Sequence, residues 1–361
     1  MKALWFAFWA LVIHSQQAFA HERWVKHDLL AEIDTSLFHP THAVFQSLAL
    51  RCLAFSFAIL GVWLMRQQLA QLLERQVPKF RKVANFVLQG DGIQDLNAIK
   101  LIESAALRLP ALVLIYSAAG GYLIMPTFPV PAAYLDMARL VQAVMAIMIV
   151  AEFQLPVVGA AIFATIAFIF AHYGAPALDV LPVAGVAYLY LTTTTRRPDA
   201  VLTARQIDVT RAIIGASFFM LGIMKIVFPK IIVGVVDHYS SVMADPLIMP
   251  FWIGTSSATA RECWALGFAL SEMMTGGLIA FGIFSRPLAL VSAFVFSKLM
   301  LSSFGWLEFP HIFPISCLLL VALHPSRRQQ ESLKLVANPM TGRAVEPAHA
   351  GGGMAGAKRS G

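Results

Sequence analysis

The sequence predicts an all-α polytopic membrane protein: nine transmembrane helices after signal cleavage, as one leading helix plus two parallel four-helix repeats. Three observations carry that expectation. Hydrophobic residues make up 58% of the 361 and charged residues only 13%, where a soluble domain averages about 25% charged. Mean hydropathy is +0.70, and apolar segments alternate with polar connectors along most of the chain. The pattern also echoes itself. Arg108 stands eighteen residues before Pro126, and Arg211 stands eighteen before Pro229. Each pair encloses a run of apolar and small residues, and three further apolar segments follow each run.

Residues 1–20 read as a signal peptide: Lys2 opens it, ALWFAFWALVI is the hydrophobic stretch, and Ala18-Phe19-Ala20 is the small-residue cleavage site. An uncleaved signal anchor is the alternative, although the stretch falls short of the roughly 20 residues a span needs. Cleavage leaves His21 at the start of an extracytoplasmic segment, 21–43. The first spanning helix is expected over 44–65. Residues 66–105 form a basic connector in which Leu69, Leu72, Leu73 and Val77 recur at helical spacing, as in an amphipathic interfacial helix. A first four-helix unit is expected over 106–193, with spans near 106–126, 137–153, 157–174 and 178–193. A basic linker covers 194–209. The second unit covers 210–324, with spans near 210–229, 265–284, 287–304 and 311–324. A Gly- and Ala-rich tail, 325–361, has little to bury and is expected to be disordered.

Charge distribution supports this order. The expected outer segments hold only Arg23, Lys26, Lys230 and Arg261, and most other cations fall in the inner connectors and tail. That is the positive-inside bias. It predicts the inner (plasma) membrane of a bacterium, with the N-terminus outside, the C-terminus cytoplasmic and membrane lipids as neighbours. The net charge of +7 is spread over these connectors and gives no nucleic-acid signal. Cys52, Cys263 and Cys317 are far apart and form no CxxC pair. No P-loop, HExxH or GxSxG motif is present, and the one GxGxxG spacing, Gly351 to Gly356, falls in the Gly- and Ala-rich tail rather than between a strand and a helix, so nucleotide-binding and familiar hydrolytic chemistry have no basis in the sequence.

Function is sought where charge enters the apolar pattern. Lys225, Glu272 and Lys298 all fall within expected spans, at comparable depth toward the outer side. Two cations beside one carboxylate can hold an anionic or carbonyl-bearing ligand, and Glu272 can relay a proton. These three are the candidate catalytic residues. The plainer alternative has the lysines reaching the headgroups while Glu272 pairs with one of them to lock the fold. Arg108 and Arg211 are expected to anchor inner helix ends by binding phosphates or terminal carbonyls. Glu103 and Asp208 stand where a carboxylate supports a helix start or pairs locally. Glu152 with Gln154, before Pro156, and Ser285 with Arg286, before Pro287, read as inner turns.

If His21 is the mature N-terminus, its amine and imidazole can chelate a metal, with His27 or Asp28 as a further ligand; a nitrogen-rich set suits Cu(II). Exposed histidines that bind nothing are the alternative. Phe251, Trp252 and Trp264 read as interfacial anchors, or as caps over an apolar pocket for a quinone-like molecule.

The stretch from Arg211 to Gly222-Ile223-Met224-Lys225, followed by Glu272-Met273-Met274-Thr275-Gly276-Gly277 and Ser285-Arg286-Pro287, resembles the DoxX/DoxD-like family of small four-helix membrane proteins. The resemblance is clearest over 211–324. Residues 108–193 look like a divergent copy that keeps Gly120-Gly121 and Pro126 and has Gln142 near the place of Glu272. The family includes proteins linked to thiosulfate:quinone oxidoreductase and other membrane redox systems. The resemblance therefore implies a redox-associated membrane subunit, quinone-interacting, working with a protein partner in the membrane or periplasm. Two other readings stay open: a metal- or small-solute-handling transporter, and a structural or assembly factor.

Overall fold

The computed structural model describes residues 43–76, 86–87, 93, 95–173, 175–193, 202–227, 258–301 and 309–324. In chain order the helices are α1 (Ala43–Leu64), α2 (Arg66–Gln76), α3 (Leu96–Arg108) and α4 (Pro110–Gly120), then α5 (Leu135–Val150), α6 (Leu155–Tyr173) and α7 (Val183–Thr192). They continue as α8 (Ala204–Val227), α9 (Ala258–Phe281), α10 (Ser285–Leu301) and α11 (Ile312–Leu323). A short antiparallel hairpin, β1 (Tyr122–Leu123) and β2 (Met125–Pro129), pairs Tyr122 with Pro129 and Leu123 with Met125.

Local chemistry sets the helix ends. Asp95 caps α3 by accepting from the Asn97 N–H at 2.9 Å. Pro110 has no N–H, so the chain breaks at Leu109 and restarts as α4 with proline at its first position. Gly121, at φ 75°, ends α4 in the left-handed conformation open to glycine. The α5–α6 turn holds Glu152 and Gln154 at φ 51° and 49°, and the α9–α10 turn holds Gly282 and Phe284 at 77° and 46°. These two turns mark one end of the bundle, called here the turn end. Lys225 and the 122–129 hairpin mark the opposite, hairpin end.

Small residues bring helices together at their backbones. A Cβ on Gly276 would lie 2.5 Å from the Phe219 nitrogen and 2.6 Å from the Gly215 carbonyl, so α8 and α9 pack backbone to backbone. Gly159 does the same between α6 and α7, with the Leu191 nitrogen 2.5 Å from its missing Cβ. The last described helix, α11, lies in the middle. It packs against α3, α4 and α7 on one side and α8 and α10 on the other, and Phe313, Cys317, Leu318 and Ala322 are fully buried. Core residues from both halves of the chain form one hydrophobic cluster. α1 is no outlier either: it lies on α9, and Trp63 meets Phe284 edge to face at 5.1 Å.

The expectation of nine spans in two four-helix repeats is overturned. Among the described residues, three helices are long and apolar enough to cross a membrane: Ala132–Val150, Leu155–Tyr173 and Ala204–Ile226. Cys52–Leu64 with Arg66–Leu72, bent by 63°, makes a fourth if the pair is one span. Val183–Thr192, Gly267–Phe281 and Phe309–Leu323 are apolar but shorter. The physical reason is that hydropathy does not distinguish a helix facing lipid from one facing other helices. The stretch expected as a span over 106–126 is divided among the end of α3, the Pro110 break, α4 and the start of the hairpin, whereas α8 is one helix of 24 residues. The two halves therefore differ in construction and share α11.

What holds is membrane-embedded helical character. On α5, Leu140 and Ile147 are 65% and 69% exposed, and Val144 and Val150 join them on the outside of the bundle. An exposed apolar stripe on a helix of this length is a lipid-facing surface. The chain is a multi-pass membrane protein in contact with lipid.

Candidate functional site

α8 and α9 run antiparallel, and their contact decides where the charged residues meet. Gly215 lies against the backbone of Gly276 and Ala280; two turns on, Gly222 lies against Ala269 and Met273. With the backbones this close, the next turn of α8 brings Lys225 level with Phe268 and Glu272. Lys225 Nζ donates to Glu272 Oε2 at 2.5 Å, and the ammonium sits 5.2 Å from the centre of the Phe268 ring. The two side chains are 7% and 12% exposed. Lys225 is thus turned into the bundle rather than toward headgroups.

Removing both ions from water is unfavourable, and their attraction offsets this only with good geometry. The short bond supplies part of that geometry and the aromatic face adds a smaller attraction. An ammonium has three N–H donors and a carboxylate two oxygens. One donor and one oxygen are engaged with each other, so donor and acceptor capacity remains for a ligand with a carbonyl or anionic group. Ser271 and Thr275 are half-buried neighbours on α9.

Lys298 is half-buried in the last turn of α10 and has an interaction of its own. By residue count from the α9–α10 turn it stands about 6 Å further toward the hairpin end than Glu272, at 1.5 Å per residue. The described contact is between Lys225 and Glu272. His21 and His27, offered as copper ligands, lie outside the described residues, as do Phe251, Trp252 and the signal and tail segments. Among the described residues no group of three or more His, Cys, Asp or Glu side chains could hold a metal ion.

Gln142, which the sequence pattern set near the place of Glu272, does other work. Its Oε1 accepts from the Ile124 N–H at 3.1 Å and its Nε2 donates to the Tyr122 carbonyl at 2.7 Å. Ser117 donates to the Ile124 carbonyl at 2.8 Å. Together they hold Ile124 at φ 64°, a conformation uncommon outside glycine. The amide is therefore a brace for the hairpin.

At the turn end, Arg211 meets expectation: Nη1 donates to the Ile279 and Ala280 carbonyls at 2.8 and 2.6 Å, capping the end of α9, and Nε pairs with Asp208 at 3.5 Å. Arg108 pairs with Glu152 at 3.4 Å, and Ser104 donates to the same Glu152 oxygen at 2.9 Å. Glu103 departs from expectation. It is buried, and its Oε1 accepts from the Leu202 N–H and contacts His324 Nε2, both at 2.8 Å. Sequence reasoning missed this pair, because Glu103 stood among helix-start carboxylates and His324 at the start of a polar tail. The available signal was His324 ending a helix whose one hydroxyl, on Ser316, is otherwise surrounded by apolar residues.

Comparison with family models, curated proteins and solved structures finds no match to this chain.

Proposed function

We propose that this protein is a membrane subunit of a redox system and that the Lys225–Glu272 pair receives a quinone-type carbonyl. The observation that carries the reading is the buried ion pair between α8 and α9, whose ammonium lies beside an aromatic ring and has no second hydrogen-bond partner among the described residues. That donor set fits the ligand class: an ammonium for a carbonyl oxygen, with the Phe268 ring beside it for a ring system. Bound there, a quinone would supply two-electron chemistry, with electrons delivered by a protein partner. Lys225 would donate to the carbonyl. Glu272 would hold the ammonium in place and exchange a proton with it. In this reading the protein lies in the inner membrane of a bacterium, N-terminus outside, with the pair nearer the outer face.

The test is purification of the intact chain in mild detergent, mass analysis of retained small molecules, and titration with a short-chain ubiquinone. Wild type retains or binds the quinone, and Lys225→Met lowers affinity about tenfold or more, as expected for loss of a hydrogen bond from a charged donor. Equal affinity in the two proteins, or no binding by wild type, overturns the reading.

The glycine-packed α8–α9 contact favours one other reading, that the pair locks two helices together. It predicts a lower unfolding temperature for Lys225→Met with no change in any bound molecule.

A further inference from the structure

Three stretches of chain that lie far apart in sequence meet at one buried oxygen at the turn end. Glu103 Oε1 accepts from the Leu202 N–H, just before α8, and bonds with His324 Nε2, just after α11, each at 2.8 Å. The side chains of Glu103 and His324 are each 1% exposed. The bond joins a carboxyl oxygen to an imidazole nitrogen, and one proton is shared between them. The adjoining residue adds a main-chain tie, as the Ile93 N–H donates to the Leu323 carbonyl at 3.0 Å. The end of α11 is therefore fastened to α3, to the entry of α8 and to the segment before α3.

We infer that Glu103–His324 is a latch that holds the central helix α11 in place, and that breaking it lets α11 shift as a unit. α11 has few polar fastenings along its length. Its Ser316 hydroxyl bonds its own helix, at the Ile312 carbonyl, and the rest of its surface is apolar packing. Apolar packing resists separation but is weakly directional. The polar tie at Glu103 fixes the axial position of α11. α11 touches α8 and α10, so its position also bears on the helices that carry Lys225 and Lys298. The latch itself does not depend on what Lys225 binds.

Cys317 is a built-in reporter. Its thiol lies two turns before His324, is fully buried, and packs where α7 and α8 approach: Gly185 and Ile214 are its neighbours. In full-length protein carrying Cys52→Ser and Cys263→Ser, Cys317 is the sole thiol, and its alkylation by N-ethylmaleimide reads displacement of α11. With the latch intact, alkylation is slow. His324→Ala, which removes one buried hydrogen bond, accelerates it about tenfold or more, and Glu103→Ala, which also removes the bond to the Leu202 N–H, accelerates it at least as much. The double variant is no faster than the faster single, because both remove the same tie. Equal protection of Cys317 in all variants overturns the latch, and so does a double variant whose effect is the product of the two singles. If the alanine variants do not fold, Glu103→Gln carries the test. It keeps an acceptor oxygen of the same shape but loses the charge, and about threefold faster alkylation is expected. Unchanged alkylation then overturns the latch.

Discussion

Tyr190 shows how much a single side chain does in this protein. Pro110 interrupts the ladder between α3 and α4, and Tyr190, fully buried on α7, donates its hydroxyl to the Leu107 carbonyl at 2.5 Å. Tyr190→Phe keeps the ring and removes the donor, leaving a buried carbonyl short of a partner. A loss of about 1–3 kcal/mol is expected, read as a lower unfolding midpoint in detergent. Glu272→Ala tests a second buried polar contact. It strands the Lys225 ammonium and should destabilise by about 3–5 kcal/mol, whereas replacing both partners by Met should destabilise far less. The contrast between single and double replacement is the measurement. Lys225 and Glu272 were legible because a charge inside an apolar run is conspicuous. Glu103 and His324 were not. A charged or polar residue at the end of a helix is ordinary, and nothing local in a sequence marks a contact across 221 positions.

At the scale of elements, the α8–α9 contact is the one most exposed to small changes. Gly276→Ala places a methyl against the Phe219 nitrogen and the Gly215 carbonyl, and backbone cannot move aside as a flexible side chain can. Overpacking of this kind should cost about 1–3 kcal/mol. Gly277→Ala meets only the Phe219 ring at 3.8 Å and should be close to neutral or mildly stabilising through better helix propensity. Thermal unfolding of the two variants side by side decides whether the approach, rather than glycine content, is what matters. The Gly-Gly pair was visible in the sequence, but which glycine faces the partner helix was not. Elements that the hydropathy pattern concealed were the short ones. Gly120-Gly121, Pro126 and Pro129 punctuate the region that forms the hairpin, yet the residues between are apolar enough to read as the end of a span. The same averaging made the short α7 and α11 look like spans.

For the whole molecule, the composition announced a membrane protein, and the long helices α5, α6 and α8 bear that out. The number of crossings did not follow from it. Apolar residues here serve two environments, lipid around α5 and a protein interior around α11, and only the fold assigns each helix to one of them. Leu140 on the outside of α5 and Leu318 in α11 therefore respond differently to charge. Leu140→Arg, near the middle of the Ala132–Val150 span, puts a cation against acyl chains, and insertion should become less favourable by about 2.5–3.5 kcal/mol. A glycosylation-based insertion assay of the α5 segment measures this. Leu318→Arg should instead yield chains that insert and fail to assemble, seen as aggregation in detergent rather than failed insertion.

The place of α11 in the bundle has a consequence for biosynthesis. Residues 312–323 are translated after every helix they touch, so the ribosome supplies the centrepiece last. Until it emerges, the earlier helices already in the bilayer enclose an unfilled slot whose walls are ready to accept the wrong neighbour. A nascent chain arrested before residue 312 is the species that insertion machinery has to shield.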